Sequence, residues 1–183
     1  MGILLDWFVA VLPGIAGMAL IIAAACIGLV GWRAAADGWR IAMAETLPDA
    51  LLLAAVGAIV VLTLGAPAAN QPEGINLVPF RDILWAAQGK VDPMLAATTL
   101  AANVLLFVPL GILLAARYPG ASRWLLTALA AIVSLMVEGG QAVLETGRLA
   151  DVTDLVANTA GAALGIGLRH ALAAGGGSSE THV

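Results

Sequence analysis

Five apolar runs, each about as long as a bilayer is thick, constrain this chain more than any motif does. They cover roughly residues 8–31, 47–66, 96–116, 124–144 and 155–174. A helix needs about 20 mostly apolar residues to cross the hydrocarbon core. With 61% hydrophobic and only 11% charged residues, against about 25% charge in soluble domains, the solvent for most of the chain must be lipid. The expected fold class is therefore all-α: a polytopic bundle of about five transmembrane helices. Residues 1–46 read as one span plus a cytoplasmic loop, 47–174 as the main membrane domain, and 175–183 as a glycine-rich flexible tail.

The tryptophans fit that map. Trp7 and Trp32 flank the first run, Trp39 precedes the second, Trp85 lies before the third and Trp124 opens the fourth. Indole rings favour the headgroup region. The first run has Asp6 and no basic residue ahead of it, so it reads as a retained span rather than a signal peptide. Arg33, Arg40, Arg117, Arg123 and Arg169 fall on one side; Arg81, Lys90 and Arg148 fall on the other. Five against three places the N-terminus outside and the C-terminus inside a bacterial cytoplasmic membrane.

Several function classes drop out. One cysteine, Cys26, excludes an intramolecular disulfide, and His170 and His182 are poorly placed for a zinc centre. No phosphate-binding glycine loop, Ser–His pair or basic run for nucleic acid is present. No cofactor is expected.

The polar residues inside the spans are more informative, because such groups are costly in lipid and face the bundle interior. Asn103 lies in the third run, Glu138 and Gln141 near the end of the fourth, and Asn158 near the start of the fifth. All approach the same membrane surface. Thr127, Ser134, Glu138, Gln141 and Glu145 share one helix face; Asp151, Asp154, Asn158, Gly161 and Gly165 share another. Gly161 and Gly165 form a GxxxG pair for close helix packing. Arg148 and the loop around Asn76 complete a predicted polar pocket, partly roofed by a piece lying on the interface.

Five ordered elements then carry a resemblance: NLVPF (76–80), NVLLFVPLG (103–111), EGGQ (138–141), GRLADVTD (147–154) and NTAGAALG (158–165). Together, over roughly residues 52–168, the chain resembles the VanZ-like family of bacterial membrane proteins. The resemblance implies a cell-envelope protein whose founding role is resistance to the glycopeptide antibiotic teicoplanin. Asn76, Asn103, Glu138, Gln141, Arg148, Asp151, Asp154 and Asn158 are the expected ligand-binding residues. The expected partners are membrane lipids and a lipid-linked wall precursor or a glycopeptide. Three alternatives stand beside this reading. They are an intramembrane enzyme acting on a lipid headgroup with Glu138 and Asp154 as acid–base pair, a small proton-linked transporter using Glu138, and a scaffold whose polar cluster locks helices. Capping is an equal reading of the two aspartates, and interfacial anchoring of Arg148.

Overall fold

The computed structural model describes residues 2–64, 74–143 and 149–176. Six helices follow in order: α1 (Gly2–Asp37), α2 (Trp39–Leu64), α3 (Arg81–Ala87), α4 (Pro93–Arg117), α5 (Arg123–Val143) and α6 (Val152–Gly176). Two three-residue strands, β1 (Gly74–Asn76) and β2 (Leu149–Asp151), pair in parallel. The fold is all-α with this one small clasp.

Among the described residues, four helices are long and apolar enough to cross a membrane: α1 over Leu12–Ala36, α2, α4 and α5. The fifth expected span, α6, equals α4 in length at 25 residues. Its apolarity is diluted by Asp154, Asn158, Thr159 and its glycines, and it packs along α4 and α5 instead of presenting itself wholly to lipid. The outer surface supports a lipid solvent. Leu20, Ile27, Leu105, Met136 and Leu164 are exposed in mid-helix, while Ser134 and Asn158 are buried. A water-soluble fold would invert that distribution.

Residues 32–46, expected as a loop, are helical on both sides of Gly38, which turns the chain with φ +84°. Hydropathy marks where the apolar run stops. The helix goes on because Ala, Met and Glu between 34 and 45 are good helix formers. Only a residue without a Cβ takes that φ cheaply. Gly14 faces Val61, and Gly57 faces Met18 and Ile22, so α1 and α2 run antiparallel.

At the centre, α4 and α6 run parallel with their backbones in contact. A Cβ on Gly161 would overlap the Val104 carbonyl, one on Gly165 the Val108 carbonyl, and one on Gly111 the Ala162 carbonyl. Lipid tails are as apolar as Leu, so close van der Waals packing, not hydrophobic burial, holds such helices together. Around this seam Ile59, Phe107, Leu110, Leu126, Ala130, Ala162 and Ile166 form the buried core. The parallel α4 and α6, with α5 antiparallel between them in sequence, put the starts of α4 and α6 at one end with the close of α5. The polar residues collect at that end.

Candidate functional site at the start of the sixth helix

The site begins with a local turn. Asn76 closes it with its own side chain: Oδ1 accepts from the Val78 N–H (3.1 Å) and Nδ2 donates to the Val78 carbonyl (3.3 Å). Asn side chains favour such turns for this reason. Pro79 follows, and Phe80 takes a left-handed conformation, φ 56°. That is unusual for a bulky residue and needs support from outside the turn. The support is Thr153 on α6, whose Oγ1 accepts the Phe80 N–H at 2.8 Å. From Phe80 the chain enters α3, where Arg81 lies 4.7 Å over the Trp85 ring. No residue of α3 is buried, and Leu84 and Trp85 are exposed. Such a surface suits the membrane interface.

The clasp brings this turn to α6. Its register pairs Gly74 with Leu149, Ile75 with Ala150 and Asn76 with Asp151. Across the last pair Asn76 Nδ2 donates to Asp151 Oδ2 (2.8 Å), while Asp151 Oδ1 accepts the Thr153 N–H (2.7 Å). Asp151 is therefore the N-cap of α6, satisfying a backbone donor that a helix start leaves unpaired. Its own N–H donates to Glu138 Oε2 at 3.0 Å. One aspartate thus links the turn, α6 and α5.

Beneath lies a second layer. Asn158 Nδ2 donates to Ser134 Oγ at 2.9 Å, joining α6 to α5; its Oδ1 has no hydrogen-bond partner among the described residues. Gln141 faces the end of α2, reaching the Thr63 carbonyl at 3.4 Å, a weak bond. Asn103 is half-buried on α4, with its Nδ2 buried and without a hydrogen-bond partner among the described residues. Asn76, Glu138, Gln141 and Asn158 are all at most 7% exposed.

Two cavities meet this network. A groove of about 200 Å³ has Glu138, Asn76 and Asp151 on its wall among Ile75, Leu135 and Leu155. A crevice of about 30 Å³, room for a water or two, is lined by Asp82, Thr99, Asp151, Thr153 and Asp154. Glu138 and Asp154, the pair an acid–base enzyme would use, line different cavities, and Asp151 stands between them.

Of the expected site residues, Asn76, Glu138 and Asp151 come together directly. Asn158 joins α5 one layer down, Gln141 turns toward α2, and Asp154 faces the crevice. Arg148 and Glu145 lie outside the described residues. Sequence reasoning missed Thr153 and Thr63. Thr153 carries a legible signal, two residues after a capping aspartate at the head of an apolar run; Thr63 carries none.

The network sits on the elements that carried the resemblance, and comparison with known families agrees. The VanZ/LLP1 family model matches residues 50–173. The chain belongs to that family. No curated protein and no solved structure matches it. The match begins at Ala50, so α1 and the first part of α2 precede the VanZ/LLP1 region. This VanZ/LLP1 protein is an integral membrane protein, and its matched region spans α4, α5, α6, the clasp and most of α2.

Proposed function

We propose that this VanZ/LLP1 protein binds a polar or anionic ligand of the bacterial cell envelope in the groove beside Glu138. Through that binding it acts on susceptibility to teicoplanin. The ligand class is a lipid-linked wall precursor, a lipid headgroup or the glycopeptide itself. One observation carries the reading: the buried Glu138 lines a groove together with Asn76 and Asp151, among apolar side chains. An apolar groove with a few convergent polar groups is what a ligand site looks like.

The hydrogen bonds divide the labour. Both Asp151 oxygens hold structure, one the Asn76 turn and one the start of α6. Asp151 and Asn76 are positioning residues in this reading, and Glu138 is the ligand contact. Arg148, one residue before β2 in sequence, is proposed as the guanidinium that pairs with a phosphate or carboxylate of the ligand. The proposed topology puts this end at the outer face of the cytoplasmic membrane, the N-terminus outside and the C-terminus inside.

The scaffold reading has its own support, since Asp151 is fully engaged in holding elements together. Direct binding separates the two. Purified protein in nanodiscs is titrated with teicoplanin and, separately, with a lipid-linked wall precursor. We expect saturable binding of one of them, weakened at least tenfold by Glu138→Gln at unchanged thermal stability. Binding indifferent to Glu138→Gln removes the proposal, and absence of binding to both removes its wall-precursor and glycopeptide forms.

A further inference from the structure

The opposite end of the bundle carries a second feature, independent of the groove at Glu138. Asp49 on α2 accepts from two arginines at once: Arg33 Nη2 on α1 at 2.8 Å and Arg117 Nε on α4 at 2.5 Å. Arg33 Nη1 also donates to Thr46 Oγ1 at 3.0 Å, and Thr46 back-bonds to the Ala42 carbonyl. One carboxylate thus serves two cations. Arg117 gives Asp49 only its Nε, and its two terminal nitrogens make no hydrogen bond among the described residues. Nearby charges are Glu45, close enough to act on Arg117, and Arg123, which opens α5 five residues after Tyr118. On this side of the sequence, tail aside, the five arginines Arg33, Arg40, Arg117, Arg123 and Arg169 outnumber the acids Asp37, Glu45 and Asp49, which leaves this end cationic.

An apolar groove of about 530 Å³ starts at the same place. Tyr118 lines it and stands 5.3 Å from the Arg117 guanidinium. The walls include Leu52 and Val56 of α2, Leu114 of α4, and Leu125 and Leu129 of α5. On α4 the lining runs from Tyr118 back to Leu110, and on α5 from Leu125 to Val133. Eight residues of helix are about 12 Å, close to the ~15 Å depth of one leaflet. An apolar channel one leaflet deep, headed by an arginine with unused donors, matches one kind of molecule.

We infer that this groove is a binding site for an anionic phospholipid, its phosphate on Arg117 and one acyl chain along α2, α4 and α5. Guanidinium forks suit phosphate oxygens. Dispersion against the leucine walls holds the chain, and charge selects the headgroup. A second copy of this chain offers no comparable argument, because nothing on the groove complements its cationic rim.

The test uses the full chain in detergent and native mass spectrometry with equimolar dioleoyl-phosphatidylglycerol and dioleoyl-phosphatidylcholine. In the wild type the phosphatidylglycerol adduct should exceed the phosphatidylcholine adduct by roughly fivefold or more, the ratio one arginine supplies at an anionic surface. Arg117→Gln should bring the two lipids close to parity. Leu129→Trp, which fills the groove and touches no charged residue, should diminish both adducts. If Arg117→Gln fails to fold, the wild-type ratio together with Leu129→Trp decides. Parity in the wild type, an undiminished preference in folded Arg117→Gln, or lipid binding unaffected by Leu129→Trp overturns the site.

Discussion

Gly161→Ala tests the packing that holds the site in place. A methyl group there would overlap the Val104 carbonyl oxygen and lie 2.8 Å from its carbon and 3.0 Å from its Cα. Carbon pairs settle at about 3.5–4.0 Å, so α4 and α6 must separate by roughly 1 Å. The intruding neighbour is backbone, which cannot swing aside. Gly165 and Gly111 press the same two helices together further along the seam, so the strain cannot be relieved by a local shift. Overpacking of this kind costs about 1–3 kcal/mol, and a 1 Å gap forfeits up to about half of the dispersion along the seam. Alanine gives back about 1 kcal/mol of helix propensity. A net loss of about 2 kcal/mol follows, roughly a 30-fold fall in the folded-to-unfolded ratio. Unfolding by sodium dodecyl sulfate in mixed micelles, followed by circular dichroism, reads this directly. Gly167→Ala on the same helix is the control, since nothing lies within 4 Å of its added carbon. It should be neutral or stabilising by up to about 1 kcal/mol. If Gly161→Ala unfolds at the wild-type detergent fraction, or if Gly167→Ala is equally damaged, the backbone contact between α4 and α6 is refuted.

Other consequences can be checked separately. Asp49→Asn removes the carboxylate shared by Arg33 and Arg117 and should destabilise by about 1–3 kcal/mol, below the usual cost of breaking a fully buried pair; Arg33→Gln should cost less in the same unfolding assay, because Arg117 still pairs Asp49. Asn76→Ala deletes both the turn and the bond to Asp151, so hydrogen exchange across residues 74–80 should quicken by about tenfold or more, an opening cost of about 1–2 kcal/mol. Thr153→Val should speed exchange at the Phe80 amide above all, since that N–H loses its acceptor. Glu138→Gln keeps an oxygen that can accept from Asp151 N–H, so its melting temperature should stay within a few degrees of wild type.

Much of the membrane domain was legible because two periodicities coincide in it. The apolar runs gave the helices, and the three-and-four spacing of Ser134, Glu138 and Gln141, and of Asp154, Asn158, Gly161 and Gly165, gave the faces. Those faces meet in the structure through Asn158 and Ser134, while the glycines of the second face pack α6 against α4. Gly111 is harder to read: its small partner four residues on is Ala115, and Gly-xxx-Ala is a weaker signal than a glycine pair. The clasp was equally silent, since three-residue strands carry no alternation to read. Asp49 carries no signal of its role in the sequence. Its partners are 16 and 68 residues away, and only the antiparallel hairpin at Gly38 and the return of α4 bring them together. The loop expected over residues 32–46 failed for a different reason, because hydropathy reports the bilayer boundary and helix propensity ignores it.

The most direct test of the central claim is teicoplanin susceptibility in a sensitive Gram-positive host expressing the wild type, Glu138→Gln and Asp154→Asn at membrane levels matched by blot. The account predicts that the wild type lowers susceptibility and that equally abundant Glu138→Gln does not, with Asp154→Asn reporting whether the neighbouring crevice takes part. A wild type that inserts normally and leaves susceptibility unchanged, or a Glu138→Gln variant that protects as well as the wild type, would contradict it.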